Sequence, residues 1–285
     1  MGGTAVTKLI AFSMVVALGP ICAQETVVSP RPLGTVADRL QESWARPVTY
    51  EDPVWLWSGD LETDKPGVKW STYPKRRVMQ IPTAAVKNLD RKRDSALLTQ
   101  IVEAWNRSAG GPKFAVRTSS FGIHIVPVAS ADASGRMRPA APLLDQVVTV
   151  PAEFRLPNEH LRALAWALKA STGMWIYESI GSIGVRFNQV FTGTGNLMFE
   201  WGVEQRQARE ALIDLLTRSA TTFSWRFNCQ PAESVQDRFC VLNIVPIMVQ
   251  RTNSAGEVIR DMIAYDRCKR CPTRPPLPPP RKKPR

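Results

Sequence analysis

The residues with the strongest claim to chemistry are cysteines. Phe223, Trp225, Phe227 and Cys229 share one face of a strand pattern, and Cys240, Leu242 and Ile244 share one face of the next. If these strands form a hairpin, both sulfurs point inward at its open loop. A bond there closes a loop of about ten residues and stabilises by roughly 2–3 kcal/mol in the chain-entropy model. Cys268-Lys-Arg-Cys271 has two readings. Flanking cations favour a reactive thiolate, but no strand–helix signal surrounds the pair, as thioredoxin-like chemistry would need. One CxxC without a second pair does not make a zinc site. A second disulfide, structural or intermolecular, is the simpler expectation.

The other reactive side chains form no set. His124 alternates with Ile123 and Ile125 on a strand. That pattern suits a solvent-facing or hydrogen-bonding position better than a general base. His160 follows Asn158-Glu159 at a helix start, where Asn158 is the expected N-cap and Glu159 suits the positive end of the dipole. No HExxH or paired-histidine spacing occurs. Ser182 lies in Ile180-Gly-Ser-Ile-Gly184, which departs from G-x-S-x-G at its first position and reads as a crossing loop. Glu51, Asp52 and Glu178 are carboxylates that could pair, yet nothing places two of them across a cleft. Thr192-Gly-Thr-Gly195 lacks the third glycine and the lysine of phosphate loops and reads as a turn. The sequence therefore offers no catalytic, cofactor-binding or metal-binding residues. The expectation is a non-enzyme with no cofactor and no small-molecule substrate.

The chain of 285 residues is 44% hydrophobic and 22% charged, the composition of a globular protein. Residues 1–23 read as a signal peptide: Lys8, an apolar run from Leu9 to Leu18, a Gly19-Pro20 break, and cleavage after Ala23. No second long apolar run follows, which excludes a multi-span membrane protein. The expected location is periplasmic or secreted, where thiols oxidise. The net charge of +12 is uneven. Arg267, Lys269, Arg270, Arg274, Arg281, Lys282, Lys283 and Arg285 contribute +8 of it, and the body is nearly neutral. Residues 266–285 read as a disordered, Pro-rich basic tail, extended where its prolines crowd. Such a tail could attach to an anionic surface.

The elements that must position these residues repeat. Residues 93–128 contain RDSALLTQIVEAW, then KFAVRT, then GIHIVPV; residues 206–247 contain RQAREALIDLLTRSA, then FSWRF, then CVLNIVPI. Each is an amphipathic helix pattern followed by two strand patterns. Pro127 and Pro246 each should end a strand or mark an edge. Upstream, TVADRLQESWARPVTYE (35–51) resembles HLRALAWALKASTGMWIYE (160–178), helix then strand, each ending in Tyr-Glu. Gly173 is placed to stop its helix in the left-handed conformation. The pattern predicts two similar units, 33–128 and 147–250, joined by a linker at 129–146. Trp55, Trp57 and Trp70 cluster near the first crossing, and Trp175, Trp201 and Trp225 lie in strand patterns. Core packing is their simplest role.

The second unit resembles the STN domain, the short N-terminal domain of secretins and TonB-dependent transducers. Leu161–Glu178, the Arg209-Glu-Ala-Leu212 helix with Leu215-Leu216, Phe223–Phe227 and Val241–Ile247 carry the likeness, over about 95 residues and more loosely in the first unit. The resemblance implies an α+β fold: two STN-like units of amphipathic helices packed on small sheets. It also implies action by protein–protein contact in the periplasm rather than catalysis. Too few residues follow for an outer-membrane barrel or secretin core, so the fold and the location are what transfer. The expected function is a protein-binding or assembly module of the bacterial envelope with a protein partner. The alternative is a polyanion or nucleic-acid binder acting through the tail.

Overall fold

Apolar alternation becomes strand, and three-four spacing becomes helix, along most of the chain. The computed structural model describes residues 24–64, 71–82, 91–108, 110–180, 186–193, 197–231, 238–252 and 254–263. The leader, Trp70, Ser182, Thr194-Gly195, Cys268, Cys271 and every cation of the tail lie outside the described residues.

The first half runs β1 (Gln24–Ser29), α1 (Pro32–Trp44), β2 (Val48–Glu51), a small hairpin of β3 (Leu61–Thr63) and β4 (Thr72–Pro74), β5 (Arg77–Pro82), α2 (Arg91–Ser108), β6 (Lys113–Thr118) and β7 (Ile123–Ala131). After β8 (Met137–Pro139) the second half runs β9 (Val147–Arg155), α3 (Pro157–Thr172), β10 (Trp175–Ser179), α4 (Phe187–Thr192), β11 (Phe199–Gln207), α5 (Ala208–Leu216), β12 (Phe223–Gln230) and β13 (Phe239–Pro246). A hairpin of β14 (Met248–Thr252) and β15 (Val258–Met262) follows. The molecule is α+β.

The main sheet has the order β10-β13-β12-β2-β7-β6, with β8 beside β7. In it β2 is parallel to β7, and β6 antiparallel to β7. Likewise β10 is parallel to β13, and β12 antiparallel to β13. β12 and β2 join the two sets in parallel, Arg226 opposite Tyr50 and Phe227 opposite Glu51. Outside this sheet, β1 pairs β5 and β9 pairs β11, both antiparallel.

Residues opposite one another across a strand pair share a face. Tyr50 belongs to a core with Val36, Leu40, Leu98 and Val102, under α1 and α2. Phe227 belongs to a core with Leu161, Leu164, Leu212 and Leu215, under α3 and α5. Since Phe227 sits beside Glu51 and Arg226 beside Tyr50, the two helix pairs cover opposite faces of one sheet.

Local chemistry explains the boundaries. Gly173 ends α3 at φ 70° as expected. At α3's start the expectation fails. Leu156, not Asn158, is the N-cap, and the Glu159 carboxylate accepts the Leu156 N–H at 2.8 Å. Proline's fixed φ suits the first helical position, so Pro157 moves the cap back. Gly122 must remain glycine, because a Cβ there would lie 2.3 Å from the Pro47 carbonyl oxygen.

One further expectation is corrected, and two details are added. Pro246 does end β13, but β7 runs through Pro127 to Ala131. Phe114 and Pro127 form a non-hydrogen-bonded pair, so the missing N–H would point away from β6, to the side where β2 pairs only as far as Ile125; the ladder then slips, Lys113 opposite Ala129. The linker is partly folded: Ala129–Ala131 pair with β8, around a turn where Asp132 Oδ1 accepts the N–H of Ser134 and of Arg136. The two Tyr-Glu endings are not in matched register. Tyr50 lies opposite Ile125, whereas Tyr177 lies opposite Val241 rather than Ile244, the residue matched to Ile125. Tyr50 is accordingly buried and Tyr177 exposed.

Candidate functional site

Cys229 and Cys240 face one another across β12 and β13 and are joined by a disulfide. The sequence candidates among the described residues are occupied by structural bonds. Glu51 is buried and accepts Arg209 Nη2 at 2.5 Å and the Leu144 N–H at 3.0 Å. Burial pushes its carboxyl up, and Arg209 pulls it back. Arg209 also donates to Asp145, which accepts Arg117 as well. Asp52 is buried and accepts Arg31 Nε at 2.6 Å, the Tyr50 hydroxyl at 2.7 Å, the Cys229 N–H at 2.9 Å and the Trp55 indole N–H at 3.3 Å. Glu51 and Asp52 stand at the end of β2, while Arg209 and Cys229 come from the second half. These carboxylates therefore staple the halves together. Glu178 lies elsewhere, paired with Arg162 at 2.8 Å.

His124 is buried, not solvent-facing. Its Nδ1 lies 2.9 Å from Thr49 Oγ1 and its Nε2 2.8 Å from Ser119 Oγ. Its ring stacks on Trp225. Burial, reinforced by Arg209 and Arg117, lowers its pKa to about 3. A base that weak is poorly matched to general-base work near neutral pH. Ser119 Oγ meanwhile accepts the N–H groups of Phe121 and Gly122 and so holds the β6–β7 turn. His160 is also buried, its Nε2 donating to the Phe199 carbonyl at 2.9 Å, and burial lowers its pKa. Among the described residues no group of three or more His, Cys, Asp or Glu side chains could hold a metal.

A polar surface depression of about 190 Å³ opens at the start of α1, lined by Arg31, Gly34, Thr35, Asp38, Arg226 and Asn228. It is smaller than ordinary small-molecule sites. Arg226 is buried there, donating to the carbonyls of Val48 and Trp225 and paired with Asp38 at 2.6 Å. The positive charges already have carboxylate partners.

The surface that does stand out is the β10 end of the main sheet. Among the described residues β10 pairs only with β13, so one side of its backbone is open. Period two sends Ile176 into the core and leaves Trp175 44% and Tyr177 50% exposed. Their rings stack at 6.2 Å, and Tyr177 meets Phe239 edge-on at 5.5 Å. The buried stripe of α3, Leu161, Leu164, Ala165 and Leu168, leaves Trp166 63% exposed on the outside. Lys169 bridges these surfaces, its Nζ over the rings of both Trp175 and Trp166. Trp55, Trp201 and Trp225 are core residues as expected, and Trp175 is not. The signal was present in Trp175-Ile-Tyr177, where two large aromatics alternate around one aliphatic.

No family model, curated protein or solved structure matches the chain. Among the described residues no helix is long and apolar enough to cross a membrane.

Proposed function

We propose that this is a secreted or periplasmic, non-enzymatic protein-binding module of the bacterial envelope. It is built from two STN-like units, 33–128 and 147–250, and receives an extended partner segment along β10. The observation that carries the reading is the open β10 edge flanked by exposed Trp175, Tyr177 and Trp166. An unpaired strand edge supplies main-chain affinity, and neighbouring aromatic surface supplies the anchors that dominate interface energetics. The unit assignment draws support from equivalent pairings: β2 parallel to β7 with β6 antiparallel, and β10 parallel to β13 with β12 antiparallel. The Cys229–Cys240 bond fits an oxidising compartment. The buried carboxylates and histidines, each engaged in structural bonds, favour binding over catalysis.

The test is capture from envelope extract by three immobilised forms: the mature protein, a form ending at Ile263, and Trp175→Ser/Tyr177→Ser. Capture of the same partner by the first two, and its loss with the third, is the expected result. Capture that disappears with the tail alone would instead establish polyanion or nucleic-acid binding through Arg267–Arg285.

A further inference from the structure

The middle of the main sheet contains a junction whose two components recur at its ends, without a further strand partner among the described residues. β12 follows α5 and lies antiparallel to β13; β6 follows α2 and lies antiparallel to β7. β2 follows α1 and lies parallel to β7; β10 follows α3 and lies parallel to β13. The central junction joins β12 to β2 in parallel. It uses one strand of each kind and leaves the other of each kind, β6 and β10, as the two ends of the strand order. The step from one half to the next reverses strand direction and moves the helices to the opposite face. Repeating that step from β6 sets a β10 beside it, parallel, with the helices again alternating; the register offset between β2 and β10 makes Glu178, next to Tyr177, the counterpart of Val48. Two such steps restore direction and face and leave only an advance along the sheet, so the contact between copies is heterologous and open-ended.

A side chain supports the same match. Arg226 of β12 crosses the junction and donates to the Val48 carbonyl of β2 at 2.6 Å. It lies opposite Asn243, as Arg117 of β6 lies opposite His124, the residue matched to Asn243 by the two Ile-Val-Pro endings. Arg117 is 47% exposed and paired with Asp145. The outer strand thus carries an arginine at the position that crosses the inner junction.

We propose that the partner received by β10 is a second copy of this chain, through its β6, and that the protein forms head-to-tail chains by continuing its own sheet. This inference rests on the β10 docking reading and names its occupant. The experiment is sedimentation equilibrium of the mature full-length protein from micromolar to millimolar concentration. Mass should rise with concentration without stopping at a dimer. Tyr177→Lys on β10 and Arg117→Ala on β6 should each lower the association constant at least tenfold. Trp175→Lys serves as a second β10 variant should Tyr177→Lys lose its native near-ultraviolet spectrum. Mixing the β6 variant with a β10 variant leaves one intact edge of each kind and should give a one-to-one dimer that grows no further. A wild type that stays monomeric throughout overturns the inference, as does full self-association by either single variant. Capture of a different protein by the β10 surface of such a monomer would leave the docking reading intact and remove only the self-assembly.

Discussion

His124 owes its properties to burial more than to its neighbours. Its folded pKa of about 3 lies below the ordinary 6.5, so below pH 6.5 the unfolded chain binds the extra proton. Its contribution to stability is therefore full above pH 6.5 and is lost as pH falls toward 3, with a slope of up to about 1.4 kcal/mol per pH unit. His124→Gln should flatten that part of the profile. Urea midpoints at several pH values check this, the difference between wild type and variant isolating the one group. Equal slopes would mean that His124 titrates normally. Arg209 and Glu51 make a second residue-scale case. Arg209→Met leaves the Glu51 carboxylate buried without its cation and should cost about 3–5 kcal/mol. Arg209→Met with Glu51→Leu should cost less than Arg209→Met alone, because the stranded charge goes too. Chemical denaturation of both variants decides it, and a double variant no better than the single would count against a desolvation origin. That pairing was not legible in sequence, since Glu51 and Arg209 stand 158 positions apart.

At the scale of elements the chain was largely readable. The Cys229–Cys240 hairpin came from two period-two strands whose apolar faces both ended in cysteine. Replacing both cysteines with alanine should lower stability by roughly 2–3 kcal/mol, the loop-closure contribution. The thermal midpoint of the oxidised wild type should fall in reductant, and that of the variant should not. A midpoint indifferent to reductant would remove the bond from the stability of the fold. Helix stops were legible where glycine alone suits the backbone, as at Gly173. Helix starts were less so, because Pro157 and Asn158 both carry start signals and only one can set the first turn. Pro127 misled for a related reason. Proline removes one donor, but at Pro127 that donor would face the side of β7 beyond its last β2 pairing, so no ladder bond is lost and the strand continues.

For the whole molecule, the decisive feature is that one sheet serves two helix layers on opposite faces. Sequence similarity suggested two units but not the parallel β12–β2 junction that fuses them. The nearly neutral body and the +8 carried by residues 267–285 still separate in sequence, and the separation is testable. Deleting residues 267–285 should abolish retention on a polyanion column and leave the cooperative unfolding transition unchanged. Retention of the full-length form should weaken steeply with salt, as screened charge contacts do. Undiminished retention after deletion would place the anion-binding surface on the body instead.

Apolar periodicity missed β1, β3, β4 and α4 but by itself determined the α+β character, the helix–strand and helix–strand–strand runs of each half, and the inward-facing cysteines of the hairpin. These follow from one physical fact: a strand or helix must turn its apolar face toward a core. What covers the other face was decided only by tertiary structure. His124 lies on the side of its strand opposite Ile123 and Ile125 and is buried because Trp225 from the second half lies against it. Tyr177 occupies the same sequence pattern as Tyr50 and is exposed because β10 meets β13 in another register, opposite Val241, with Ile176 and not Tyr177 turned to the core.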